Sequence, residues 1–304
     1  LSRRRILRRI NKLNMKFKSN TYHIIASIED EKCIKGIYED TIKRWCSEKG
    51  FECYYYSLEN KSNFFDTIEQ IKIFTSDLDK YPHIHVECHG SHNGIELKNG
   101  DKIIWEEIEE IFKEINGMCR NNLVVTMASC FGGHFSLSLL NNIRFEEHCR
   151  APFFALIGPE KPISYGELED GYSGFFDAFL TQRDLGTAVD VLTNNSQYAG
   201  KFIFMTCESI FKSFIEYFIE NSINKTYKYE HKLDERVSII IKDFETNSGK
   251  KATFNQIEQI KRIILNPGFN EQFLKKLMYP YYWRDVFPEN LSRDDDLKIT
   301  GNYT

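Results

Sequence analysis

"HIHVECHG", residues 83–90, alternates apolar and polar side chains and ends in a His-Gly pair, while "NNLVVTMASCFGG", residues 121–133, carries a second apolar run that ends in a Cys. The first has the two-residue period of a strand, and the second has the length of a strand buried on both faces. Strands joined by helical crossovers run parallel, and successive ones are usually neighbours, so His89 and Cys130 are expected at the same edge of one sheet. With strands near 4.8 Å apart, the two side chains then lie within about 5 to 10 Å of each other. The plainer alternatives are a satisfied core histidine and an inert core thiol.

Outward from these runs, strand-like and helix-like segments alternate. "YHIIASI" (22–28) is the first strand, and "IKGIYEDTIKRWCSEKG" (34–50) follows with apolar residues at helical spacing and Gly50 as its stop. "FECYYYS" (51–57) is the second strand, and the helix "FFDTIEQIKIFTSDL" (64–78) gives way at Pro82 to the third, "HIHVEC". "NGIELKNGDKI" (93–103) has the turn signals of a small hairpin and "WEEIEEIFKEI" (105–115) is helical. "NLVVTMA", "PFFALIG" and "KFIFMTC" complete six strands, with "FSLSLLNNI", "GYSGFFDAFLTQ" and "LGTAVDVLTN" as the helices between them. The expected fold is an α/β, three-layer α/β/α sandwich with a mostly parallel six-stranded sheet.

Residues 21–208 make up that domain, and 209–304 read as an appended helical region, from "IFKSFIEYFIENSI" (210–223) and "NQIEQIKRIILN" (255–266) to the aromatic "YPYYWRDVF" (279–287). Residues 1–20 form a basic segment, with Arg3, Arg4, Arg5, Arg8, Arg9, Lys12, Lys16 and Lys18 and no acid. It reads either as a basic amphipathic helix for anionic lipid or nucleic acid, or, since Met15 is an available initiator, as sequence upstream of the true start.

At 304 residues, with 41% hydrophobic and 28% charged residues, the chain can bury a large core without cross-links. A formal net charge of -4 gives no global attraction to nucleic acid. Eight scattered cysteines, five of them in apolar runs, favour a reducing compartment over a disulfide framework. No run of about eighteen apolar residues offers a membrane span. A cytoplasmic location is expected. There is no Gly-rich loop with Lys after a strand and no nucleophile-elbow serine, which leaves P-loop hydrolysis and serine hydrolysis unsupported.

A thiol attacks a carbonyl as its thiolate, and a neighbouring imidazole supplies the base that makes the thiolate available near neutral pH. The backbone N–H groups of Gly90 and Cys130 are candidate donors to the oxyanion that forms. Gly90 allows close backbone approach, and Gly132 and Gly133 are expected to let the chain turn sharply into the next helix.

A strand ending in His-Gly, then a strand ending in Cys with Gly two residues later, resembles the caspase-fold cysteine peptidases, including bacterial caspase-like and CHAT groups. The string here is Ala128-Ser129-Cys130-Phe131-Gly132, with the His 41 residues upstream (130 − 89). The resemblance spans residues 21 to 208 and implies His89 as general base, Cys130 as nucleophile and Gly90 with Cys130 as oxyanion donors. It further implies a polypeptide substrate, no metal or organic cofactor, and service in regulated bacterial defence, antiviral or cell-death pathways. Position 128 is Ala where caspases carry Gln and legumains Asp, so the preferred first substrate side chain does not carry over. Glu160, Glu167 and Glu169 follow the fifth strand, and Glu160 and Glu167 are the candidate acids for a basic substrate side chain. An activating protein or small ligand is expected at the helical C-terminal region.

Three other readings stand beside this one. His83, His85, Cys88, His89 and His92 are dense enough to suggest zinc, although Cys88 falls on the opposite strand face from the first two histidines and His89. His134 is a rival partner for the thiol. The third is a catalytically silent caspase-fold scaffold, with Tyr279, Tyr281, Tyr282 and Trp283 as a partner surface.

Overall fold

The computed structural model describes residues 19–28, 35–76, 80–137, 151–194, 197–207 and 209–210, with parts of 237–264. By contacts the chain falls into two units, residues 1–144 with 148–207 and residues 145–147 with 208–304.

The first unit is α/β and centres on a mixed, mostly parallel sheet. In chain order its strands are β1 (Thr21–Ser27), β2 (Glu52–Ser57), β3 (Pro82–Ser91), β4 (Gly94–Glu96), β5 (Lys102–Ile104), β6 (Val124–Ala128), β7 (Ala155–Pro159) and β8 (Phe202–Thr206). The main path runs β2-β1-β3-β6-β7-β8, with β4 and β5 as a hairpin hung on β3. β1, β6 and β7 are buried along their whole length, as parallel strands covered on both faces must be. β3 and β6 are direct parallel neighbours, in register from His83↔Val124 to Glu87↔Ala128.

The helices are α1 (Arg44–Lys49), α2 (Lys61–Thr75), α3 (Trp105–Met118), α4 (Tyr165–Gln182) and α5 (Leu185–Asn194). α1 continues from Lys35–Lys43, where the winding is π-helical instead of the regular α-helix the spacing predicts. Gly50 ends it at φ 70°, a left-handed conformation that costs glycine nothing. The Asn60 side chain accepts from the Asn63 N–H at 3.0 Å and starts α2.

Helices cover both faces of the sheet. On one, Tyr172, Phe175, Phe176 and Phe179 of α4 are fully buried over β1, β3, β6 and β7. Each contributes about 1.5 to 3 kcal/mol of burial. On the other, Phe74 of α2 packs on His23 of β1, and Trp105 and Phe112 of α3 pack on Phe135.

Two features of the strand path go beyond the sequence expectation. β3 does not stop at Cys88: β1 ends at Ser27, opposite Cys88, and β3 runs on through His89 and Gly90 to pair with β4, after which the Lys98 N–H donates to Ser27 Oγ at 2.9 Å. Gly94 permits this, because a Cβ there would lie 2.1 Å from the Ile103 carbonyl oxygen. β8 runs antiparallel to β7 because two helices, α4 and α5, intervene. They turn on each other at Arg183, which takes a left-handed φ of 59°, so the chain returns to the end of β7 that it left.

In the second unit, α6 (Phe254–Ile264) covers most of the predicted "NQIEQIKRIILN" helix. It opens with a reciprocal cap in which the Gln256 side chain accepts from the Thr253 N–H at 2.9 Å and Thr253 Oγ1 accepts from the Gln256 N–H at 3.4 Å. The basic segment 1–18, residues 211–223 and the aromatic run 279–287 lie outside the described residues. Among the described residues, no helix is long and apolar enough to cross a membrane.

Candidate active site

β3 and β6 leave register at Glu87↔Ala128, and two residues further along each chain stand His89 and Cys130. The two segments stay in contact beyond that point. A Cβ on Gly90 would lie 2.1 Å from the Cys130 carbonyl oxygen and 2.9 Å from Ser129 Cβ, so only glycine fits. Gly132 is required in the same way, since a Cβ there would meet Met127 Cβ at 2.6 Å and Ser129 Oγ at 3.0 Å. Gly90 and Gly132 together leave the space that the buried Ser129 side chain fills.

The expected turning role of the glycine pair falls instead to Phe131, whose φ of 59° puts a bulky residue in the left-handed region. Such a conformation costs about 1 to 2 kcal/mol and persists only where neighbours impose it. Here Gly132 and Gly133 are pressed against Gly158 at the end of β7, where an added Cβ would lie 2.7 Å from the Gly133 nitrogen. The glycines therefore serve close packing, and the residue after the Cys takes the bend.

Cys130 is half-buried, and its thiol donates to the Ile163 carbonyl at 3.7 Å. Ile163 immediately precedes α4, which is tied to the sheet by Tyr172, whose hydroxyl sits 2.9 Å from the Met127 carbonyl oxygen and 3.3 Å from that of Ile157. His89 is exposed and has no hydrogen bond or ion pair among the described residues. Directly across the ladder from it stands Glu96 of β4, which is 3.4 Å from Lys102 Nζ. Two other thiols are enclosed: burial pushes Cys119 up to about 12, and burial together with the charge of Glu87 pushes Cys88 up as well.

His134, the rival partner, faces His92 instead, with Nδ1 to Nδ1 at 3.2 Å and the Phe131 ring 4.0 Å from that of His92. Glu167 is engaged at the start of α4, where it accepts from the Ser164 N–H at 3.0 Å and Oγ at 2.9 Å and pairs with Lys201. The Lys201 ammonium and then the Ser164 N–H hold its carboxyl down, at about 2. A carboxylate already matched by a cation offers little to a basic substrate. Glu160 stands at the end of β7, its N–H donating to the Lys201 carbonyl at 2.8 Å.

The zinc alternative meets a different arrangement. His83 Nε2 and His85 Nδ1 both bond Thr126 Oγ1, at 3.1 and 2.7 Å, and His85 Nε2 bonds Glu87 Oε1 at 2.9 Å. Cys88 is buried on the other strand face, and among the described residues no three His, Cys, Asp or Glu side chains gather closely enough to hold a metal. Thr126, Glu87 and Glu96 went unnoticed in the sequence. The visible signal was the two-residue period His83, His85, Glu87, His89, which puts one polar face inside an otherwise apolar strand.

No family model matches this chain, and no curated protein matches it.

Proposed function

We propose that this chain is a cysteine endopeptidase of the caspase-like kind, with Cys130 as nucleophile and His89 as its proton partner. The observation that carries the reading is the close packing of Gly90 on the Cys130 backbone, which keeps the ends of β3 and β6 together at one sheet edge. That edge is where loops leave the strands and substrates gather in open α/β sheets.

In the proposed reaction the Cys130 thiol turns away from the Ile163 carbonyl and gives its proton to His89. The sulfur then bonds the scissile carbonyl carbon, and the N–H groups of Gly90 and Cys130 receive the oxyanion. As the C–N bond breaks, His89 returns the proton to the leaving amine, and water, deprotonated by His89, releases the acyl group. The substrate is a polypeptide laid extended beside the strand ends, and Glu160 stands near enough to the end of β7 to meet a basic side chain. A role in bacterial defence or cell death follows from the resemblance alone, and a reducing compartment from the scattered cysteines.

A peptide-library digestion read by mass spectrometry tests this. Wild-type chain is expected to generate new termini at a consistent side chain, and Cys130→Ala to generate none. Identical spectra from the two would end the peptidase reading. The contact between the thiol and Ile163 favours a second reading, a catalytically silent scaffold, in which Cys130 reacts with thiolate probes no faster than Cys53, the other half-buried thiol among the described residues.

A further inference from the structure

His83, His85 and Glu87 project from one face of β3 into a core of aromatic rings. Each is at most 3% exposed. The ring of His83 lies 5.1 Å from Phe176 and 5.6 Å from Phe179, and that of His85 lies 5.0 Å from Tyr172. Burying three ionisable side chains among phenyl rings is costly unless each is paired, and replacing such groups by apolar ones is often neutral or stabilising. Their presence calls for a role beyond packing.

The hydrogen bonds have one self-consistent polarity that keeps both imidazoles neutral and Glu87 ionised. Thr126 Oγ1 is shared by His83 Nε2 and His85 Nδ1, and a hydroxyl has a single proton. If the His83 Nε2–H donates to Thr126 and the Thr126 hydroxyl donates to His85 Nδ1, then the His85 Nε2–H is left to donate to the Glu87 carboxylate. Every link then has one donor and one acceptor. His83 Nδ1 is left as an unpaired acceptor, and burial holds that ring neutral. The chain crosses from β3 to β6 and back, and it ends in a carboxylate on the strand face that leads to His89.

We propose, resting on the peptidase reading, that Thr126 and Glu87 are positioning residues of the active site. The buried chain His83–Thr126–His85–Glu87 cross-links the strands that deliver His89 and Cys130 and so sets how the imidazole and the sulfur face each other. Glu87 and His89 are two residues apart on one strand face, about 7 Å, whereas Cys130 is as far along and one strand over, about 8 Å. At such similar distances the Glu87 charge acts on the imidazole and the sulfur nearly equally, so the chain works by holding β3 against β6.

The charged and titratable groups around these residues come from several elements. On β3 itself are His85 and the oppositely directed Cys88, and α4 presents Tyr172 to Glu87. β4 presents Glu96, with Lys102 beyond it, to His89, and the segment after β6 presents Cys130.

Site-resolved alkylation of Cys130 by iodoacetamide across pH 5 to 9, quantified by peptide mass spectrometry on the full chain, tests the proposal. Glu87→Gln keeps an acceptor oxygen for His85, removes the charge and puts an amide NH2 in place of the second oxygen. It is expected to keep at least a third of the wild-type rate at neutral pH, because the hydrogen bond to His85 survives, whereas Glu87→Leu, which leaves the His85 Nε2–H without an acceptor and loosens β3 against β6, is expected to lower that rate about tenfold. Thr126→Ser is expected to retain the wild-type profile, and Thr126→Val to broaden or lose it.

An unchanged Cys130 rate in both Glu87→Leu and Thr126→Val overturns the proposal. Should Glu87→Leu not fold, the paired replacement His85→Leu with Glu87→Leu leaves no unpaired ion and is read in the same way. His89→Ala separates the two levels of inference. If it too leaves Cys130 reactivity unchanged, the peptidase reading has failed; if it alone changes that reactivity, only the role of Glu87 has.

Discussion

β3 carries two kinds of histidine on one face of one strand. His83 and His85 lie within the sheet, covered by α4, bonded to Thr126 and kept from solvent. His89 lies past the end of β6, exposed and without a hydrogen-bond or ion-pair partner among the described residues. The residue type and strand face are the same, yet the environments impose opposite chemistry. Burial drives His83 far below the usual imidazole range, so it cannot exchange protons near neutral pH. A histidine that works as acid and base needs the freedom that only the strand end provides.

The sharpest way to break this contrast is at the strand end. Gly90→Ala forces a methyl into the Cys130 carbonyl oxygen, a backbone atom, and against the buried Ser129 side chain, so the site must deform. Turnover is expected to fall by more than a hundredfold, with about 1 to 3 kcal/mol of stability lost on denaturant unfolding. Full activity in this variant would contradict the geometry claimed for the site.

Within the sheet, Thr126→Val keeps the side-chain volume but leaves His83 Nε2 and His85 Nδ1 without their shared partner. A loss of about 2 to 4 kcal/mol is expected, seen as a thermal midpoint lower by roughly 5 to 15 °C, and Thr126→Ser should recover most of it.

A smaller effect is expected from pH. His23, buried on β1 under Phe74 and against Tyr56, is lowered from 6.5 to about 4, mainly by burial. The folded chain refuses a proton that the unfolded chain accepts below pH 6.5. The stability His23 contributes is therefore complete above pH 6.5 and is lost as the pH falls toward about 4, at up to about 1.4 kcal/mol per unit. His23→Phe should flatten that slope by about one proton in unfolding curves taken between pH 4 and 6.5, and an unchanged slope would remove His23 from the account. Smallest of all, Glu167→Gln should alter cleavage next to basic side chains by less than threefold, because Lys201 already occupies that carboxylate. A larger loss there than in Glu160→Gln would restore Glu167 as a specificity residue.

Most of the sheet was legible because its signals are local. Alternation marked β3, continuous apolar runs marked β6 and β7, and Asn99-Gly100 lies in the turn between β4 and β5. The adjacency of β3 and β6, on which the proximity of His89 and Cys130 depends, followed from the tendency of successive parallel strands to pair. What escaped the sequence is non-local. Thr126 meets His83 and His85 across a gap of about forty positions, and nothing in "VVTMA" distinguishes a hydrogen-bond hub from an ordinary strand threonine. Both helices before β8 were legible, but the direction of β8 depends on how they turn on each other at Arg183. The left-handed Phe131 was hidden because two following glycines offered an easier place to bend.

The central claim is tested most directly by the second-order rate of Cys130 alkylation at pH 7 in wild type and in His89→Ala. The account predicts a fall of tenfold or more in the variant at that cysteine alone, with rates at the other thiols unchanged. Equal rates at Cys130 in the two proteins would contradict it.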